Sequence, residues 1–138
     1  MSKKTQKVSR RILVADDDPV IRHLITSLVE KEQYDAVVVN DGKEAYRLLQ
    51  KDANFCAAIF DKIMPHLQGL DLIRFMSTDE RLSRIPVLMI TSERDLQLIA
   101  ESFAAGVTLF LPKPFTAEQF KFTLRLLLSN RPAFSETA

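Results

Sequence analysis

ILVADDDP, residues 12–19, runs four apolar residues directly into three aspartates and a proline. A short uncharged run of this kind reads as a strand covered on both faces, because no position on it tolerates water. Asp18 directly before Pro19 reads as a helix start: the carboxylate caps free backbone N–H groups, and proline suits the first helical position. Strand, acidic turn and helix therefore follow one another within a few residues, which is the opening of a β/α unit with carboxylates at the strand's carboxyl end.

The same alternation recurs outward from that stretch. Ala36 to Val39, Ala57 to Phe60, Val87 to Ile90 and Leu109 to Leu111 are further strand candidates, and segments with apolar residues at helical spacing separate them. The first helix stacks Ile21, Leu24, Ile25 and Leu28, the second is led by Asp41 and stacks Ala45, Leu48 and Leu49, and the third runs from about Gly69 with Leu72, Ile73 and Met76. The fourth offers Leu96, Ile99, Ala100 and Phe103 before Gly106, and the fifth runs from Thr116 to about Leu128. On the fifth, Phe120, Leu124 and Leu127 form a core stripe, while Phe122 and Leu126 lie on a different side. Five such units predict an α/β fold with a parallel sheet.

A chain of 138 residues with 46% hydrophobic and 27% charged residues is long enough to bury one core, so one domain is expected. No apolar run approaches the roughly 20 residues of a membrane helix, and the first residues lack the apolar stretch of a secretory signal, so a cytoplasmic protein without membrane contact is expected. The lone Cys56, among Phe55, Ala57 and Ala58, reads as buried packing. The net charge of +1 hides an asymmetry: Lys3, Lys4, Lys7, Arg10 and Arg11 open the chain with no acid among them, and the remainder holds 14 basic against 18 acidic residues. Residues 1–9 are expected to be a solvated, disordered basic tail rather than a nucleic-acid or membrane contact. Residues 130–138 are expected to be a second tail, leaving no DNA-binding or enzymatic output module beyond the domain at 10–129.

In an open parallel sheet the loops leaving the carboxyl ends of the strands converge on one edge, where ligands bind. The first strand candidate ends in Asp16, Asp17 and Asp18, the third in Asp61, the fourth in Thr91 and the fifth in Lys113. Crowded carboxylates repel unless a hard divalent cation neutralises them, and oxygen ligands with open positions suit Mg2+. Such an ion screens a carboxylate nucleophile from an incoming phosphoryl group, while a hydroxyl and an ammonium hold the phosphoryl oxygens.

ILVADDDP, AAIFDKIMP, VLMITS and FLPKPF, in this order and each at a strand's end, resemble the signatures of the response-regulator receiver family over about Arg10 to Ser129. The resemblance implies a flavodoxin-like, doubly wound (βα)5 sandwich with strand order 2-1-3-4-5. It implies that Asp61 is the phospho-acceptor and that Asp16 and Asp17 form an acidic pocket. It further implies that Mg2+ is held by Asp17, Asp61 and the main-chain carbonyl of Ile63, that Thr91 is the switch hydroxyl and Lys113 the phosphate-binding lysine, and that Lys113-Pro114 is a cis bond. Phe110 falls where the family carries an aromatic switch, often a tyrosine, and here lacks the hydroxyl. The implied partners are a sensor histidine kinase or histidine phosphotransfer protein and an unidentified downstream protein, with a homodimer through the fourth helix, fifth strand and fifth helix as one output. No direct DNA binding is expected, and the chain is expected to be a stand-alone signalling module rather than an enzyme.

Blander readings stand beside these. Asp18 is assigned to capping, His23 to an ordinary helix surface and His66 to a solvated loop. Lys62 should point away from the Asp61 side chain by strand alternation, and Glu93 offers a carboxylate near the site. A phosphohydrolase with an aspartyl nucleophile needs a second aspartate two residues on, where this chain has Ile63, whose apolar side chain is expected to slow loss of the phosphoryl group.

Overall fold

The computed structural model describes residues 9–64 and 67–129. Five strands, β1 (Arg11–Ala15), β2 (Asp35–Val39), β3 (Ala57–Asp61), β4 (Val87–Thr91) and β5 (Leu109–Pro112), form one parallel sheet in the order β2-β1-β3-β4-β5. Five helices alternate with them: α1 (Pro19–Lys31), α2 (Gly42–Lys51), α3 (Gly69–Ser77), α4 (Leu96–Ala105) and α5 (Ala117–Ser129). Each strand agrees with its sequence reading to within one residue at either end.

The three inner strands carry the core because each faces helices on both sides. Along β1 and β3 alternate residues go to opposite layers: Leu13, Ala15, Ala58 and Phe60 join the cluster with α2 and α3, while Ile12, Val14, Ala57 and Ile59 join the cluster with α1 and α5. The outermost β2 is only partly buried, with Val38 39% exposed, since an edge strand has a neighbour on one side only. Cys56 is buried just before β3.

The local signals that set the helices act as read. Asp18 accepts a hydrogen bond from Val20 N–H at 2.9 Å and leaves Pro19 to begin α1. Asp41 accepts from Glu44 N–H, whose carboxylate accepts from Asn40 N–H, and ahead of α5 the side chains of Thr116 and Gln119 each accept the other's N–H. Gly106 ends α4 at φ 124°, a conformation that a side chain strains.

Two expectations are corrected. Leu24 is exposed, and α1 buries Ile25, Leu28 and Val29 instead, because the helix is rotated so that its inward face runs between those positions. The α4 stripe of Leu96, Ala100 and Phe103 also faces solvent, with Leu96 80% exposed, and the one fully buried residue of α4 is Ser102. Apolar residues occur on nearly every side of this helix, so periodicity does not pick a face. The buried hydroxyl is satisfied by donating to the Leu98 carbonyl at 3.0 Å, which removes the cost of turning it inward.

No helix among the described residues is long and apolar enough to cross a membrane. The expected tails, other than Ser9, and also Pro65 and His66, lie outside the described residues.

Candidate functional site

Register fixes the site before any side chain is considered. Asp61 ends β3 opposite Ile90, and Thr91 ends β4 opposite Pro112, so residues at the ends of neighbouring strands are carried to one edge. Lys113 follows β5 at once, donating its N–H to the Thr91 carbonyl at 2.9 Å, and the Lys113-Pro114 bond is cis. Asp16 and Asp17 leave β1 on the other side of Asp61.

The structure brings the predicted acids and the lysine together. Asp16, Asp17 and Asp61 each place a carboxylate oxygen within 4.8 Å of the others, and Asp16 and Asp61 are buried while Asp17 is exposed. Lys113 Nζ lies 3.5 Å from Asp61 Oδ2, and Asp61 Oδ1 accepts from Ile63 N–H at 3.3 Å. Asp16 Oδ1 accepts from Asp18 N–H at 2.9 Å, whereas its buried Oδ2 has no hydrogen-bond partner among the described residues.

The electrostatics follow from that crowding. Burial pushes the Asp16 carboxyl up to about 6, against the pull of the Asp18 N–H, and the Asp61 and Asp17 charges push the same way. Burial also raises Asp61 above the usual carboxylate range, opposed by the Lys113 ammonium and by the Ile63 N–H. A buried carboxylate oxygen without a donor, in a pocket of hard oxygen ligands, fits a hard divalent cation, which would satisfy that oxygen and reverse the repulsion.

Three further features shape the edge and have weak signals in the sequence. Arg22, one turn into α1, donates from Nη1 to the Asp16 carbonyl at 2.9 Å and so holds the β1–α1 turn. Glu93 is not a loose carboxylate: its Oε2 accepts from the N–H groups of Arg94 and Asp95, and its Oε1 lies 3.8 Å from Lys62 Nζ. Lys62 therefore turns aside from Asp61 as alternation requires, but toward the β4–α4 loop. Gly69 makes room for the strand end, since a methyl group there would lie 2.7 Å from the Asp61 carbonyl and 3.3 Å from Lys62 Cα, both backbone. Gly69→Ala is expected to lower stability by about 1–2 kcal/mol, because backbone at the crowded edge must shift. Urea denaturation reads this directly, and an unchanged midpoint would mean the edge yields freely.

The predicted output residues lie away from the carboxylates. Phe110 is half-buried on β5 and meets the ring of Phe103 edge-on, with centroids 5.0 Å apart. Phe122 and Leu126 are exposed on α5, at 66% and 42%. Ile63 beside the site is 62% exposed.

Comparison with known proteins agrees with this geometry. Residues 12–125 match the response regulator receiver domain family. The chain is 33% identical over 121 residues to the chemotaxis protein CheY1 of Helicobacter pylori, covering 87% of this chain and 98% of that protein. It is 37% identical over 112 residues to CheY of Pseudomonas aeruginosa, covering 80% and 90%. Among solved structures, the chemotaxis response regulator CheY4 of Vibrio cholerae superposes with a TM-score of 0.81 at 29% identity, covering 87% of this chain and 99% of that one. A strand order of 2-1-3-4-5, an acidic pocket at the carboxyl edge and these likenesses place the chain in the response-regulator receiver family, as a CheY-like receiver domain.

Proposed function

We propose that Asp61 accepts a phosphoryl group from the phosphohistidine of a sensor histidine kinase or histidine phosphotransfer protein, and that the modified domain signals through altered protein contacts. The observation that carries this reading is the approach of Lys113 Nζ to Asp61 Oδ2 at 3.5 Å inside a pocket of three carboxylates. An Asp61 oxygen attacks phosphorus, the P–N bond to the donor imidazole breaks, and its electron pair returns to the imidazole nitrogen, which is protonated as it leaves. Lys113 meets the negative charge on the transferred oxygens, and the Thr91 hydroxyl, on the neighbouring strand, donates a hydrogen bond to one of them.

Mg2+ fits the same pocket, with Asp17, Asp61 and the Ile63 carbonyl as its protein ligands and Asp16 in support, and when bound it supplies the charge that lets a carboxylate meet a phosphoryl group. Few protein ligands make such binding weak.

The output face in this reading is α4, β5 and α5, with Phe110, Phe122 and Leu126 on it, and its partner is a downstream protein or a second copy of the chain. Similarity to CheY1 over 98% of that chemotaxis protein's length supports an output made by protein contact. Receiver domains are phospho-accepting signalling modules, and this one is read as catalysing only its own phosphorylation and slow dephosphorylation.

Incubation with acetyl phosphate and Mg2+ followed by intact-mass measurement tests the proposal. The parent chain is expected to gain one phosphoryl group and Asp61→Asn none; equal labelling of both would place the acceptor elsewhere. Ile63→Asn is expected to lose the group several-fold faster, since an amide at that position can orient water as the exposed isoleucine cannot. Equal decay rates would remove Ile63 from the account.

A further inference from the structure

Glu93 makes more polar contacts than any catalytic role assigned above requires. Its carboxylate Oε2 accepts the N–H groups of Arg94 at 3.1 Å and Asp95 at 2.9 Å, Oε1 faces Lys62 Nζ at 3.8 Å, and its own N–H donates to Thr91 Oγ1 at 2.9 Å. Lys62 is a fixed post, because its N–H donates to the Ile90 carbonyl and its carbonyl accepts from Gly69 N–H, both at 3.1 Å. Asp95 in turn caps α4 by accepting from Gln97 N–H. A chain of contacts thus crosses the edge from the residue after Asp61 to the start of α4, and Glu93 is its middle member.

Little else holds that loop. Ser92, Arg94, Asp95 and Leu96 are exposed, so no apolar side chain of theirs anchors it, whereas Lys62 and Glu93 are 17% and 25% exposed. A threonine hydroxyl has one hydrogen and two lone pairs. With one lone pair taken by Glu93 N–H, its rotation is restricted and its hydrogen is left to be donated to another oxygen.

We propose that Glu93, moored by Lys62, is a positioning residue for the Thr91 hydroxyl, presenting its O–H to an oxygen of the group on Asp61. This rests on the reading of Asp61 as phospho-acceptor. A rival account follows from charge alone: the Glu93 carboxylate repels an anion, so removing it should tighten anion binding. Positioning has the opposite sign, because a loosened loop costs ordering when the anion binds.

Beryllofluoride, an anionic mimic of the phosphoryl group, separates the two when titrated with saturating Mg2+ and followed by 19F NMR. Glu93→Ala is expected to weaken binding about tenfold, the worth of one well-made hydrogen bond. Glu93→Gln is expected to recover most of it, since an amide oxygen accepts the same two N–H groups, and Lys62→Met is expected to fall between. Hydrogen exchange at Arg94 and Asp95 should quicken in Glu93→Ala and stay near the parent rate in Glu93→Gln. Binding by Glu93→Ala as tight as in the parent, or tighter, overturns the positioning role. The Thr91 methyl resonance without any mimic provides an independent arm: it should move in Glu93→Ala, and a fixed resonance also overturns the proposal. Should the parent chain take up no beryllofluoride while that resonance moves, the acceptor reading fails and the positioning of Thr91 stands.

Discussion

At neutral pH in the presence of a chelator, Asp16→Asn is expected to be more stable than the parent chain by about 2 kcal/mol, and the advantage should shrink as the pH falls below 6. Asp16 is 1% exposed, one of its oxygens has no hydrogen-bond partner among the described residues, and its folded pKa is about 6 against 3.8 for the free group. A raised carboxyl pKa means that the folded chain binds the proton more tightly than the unfolded chain. Its contribution is therefore favourable below about 3.8 and is lost as pH rises through 6. A shift of this size sets an upper bound of roughly 3 kcal/mol. Asparagine removes the buried charge, keeps the acceptor for Asp18 N–H, and places an amide group where the partnerless oxygen was.

Asp61, also raised, acts in the same direction, whereas Asp52, lowered by its hydrogen bond to Arg11, and Asp79, lowered by Arg81, lose stability as pH drops below about 3.8. Urea denaturation across pH should thus show greatest parent stability at about pH 4, falling as the pH rises toward 6, with a shallower fall in Asp16→Asn, where Asp61 is still raised. Added Mg2+ should stabilise the parent more than the variant, because a ligand stabilises by its affinity for the folded state. A parent midpoint that holds or rises from pH 5 to 7.5, with no gain in the variant, would remove the buried charge from the account.

Two phenylalanines on α5, two positions apart, should respond in opposite ways. Phe120 is fully buried beside Phe115, in the core cluster that also holds Ile12 and Ile25, and Phe120→Ala is expected to cost about 3–5 kcal/mol, from lost burial and the cavity left behind. That is a large share of the roughly 5–15 kcal/mol available to a domain. Phe122→Glu with Leu126→Glu, on the exposed side, should leave the urea midpoint within about 0.5 kcal/mol. The same double variant should abolish phosphorylation-dependent self-association or partner binding, followed by light scattering, while Asp61 still labels. Binding unchanged in that variant would move the output surface to another face.

Much of this was legible in the sequence because local signals and long-range packing agree. Asp18-Pro19 and Asp41 start helices in any context, and uncharged runs such as ILVA have no stable place outside a sheet interior. The acids, Thr91 and Lys113 were placed by topology alone, since each ends a strand. What was illegible depends on orientation about an axis. Leu24 and Val29 both satisfy helical spacing, and only packing against the sheet chooses between them; α4 carries apolar residues on nearly every side, so its inward Ser102 had no signal. The side-chain partners of Arg22, Lys62 and Glu93 depend on loop conformation, which neither spacing nor composition encodes.

The opposite pole of the sheet is riveted. Arg10 donates from both Nε and Nη2 to the Gln33 carbonyl and lies over the Tyr34 ring, and Arg11 pairs with Asp52, donates to the Asn54 carbonyl and lies over Phe55. Ser9 donates to the same Asn54 carbonyl. A strand of 5 residues then separates this clamp from the acidic pocket, roughly 17 Å at the usual rise. For anyone wishing to immobilise or label the domain, a tether joined ahead of Ser9 would pull on guanidinium contacts at the far pole and leave the carboxyl edge open to a kinase, which makes that end the better handle for surface or single-molecule work.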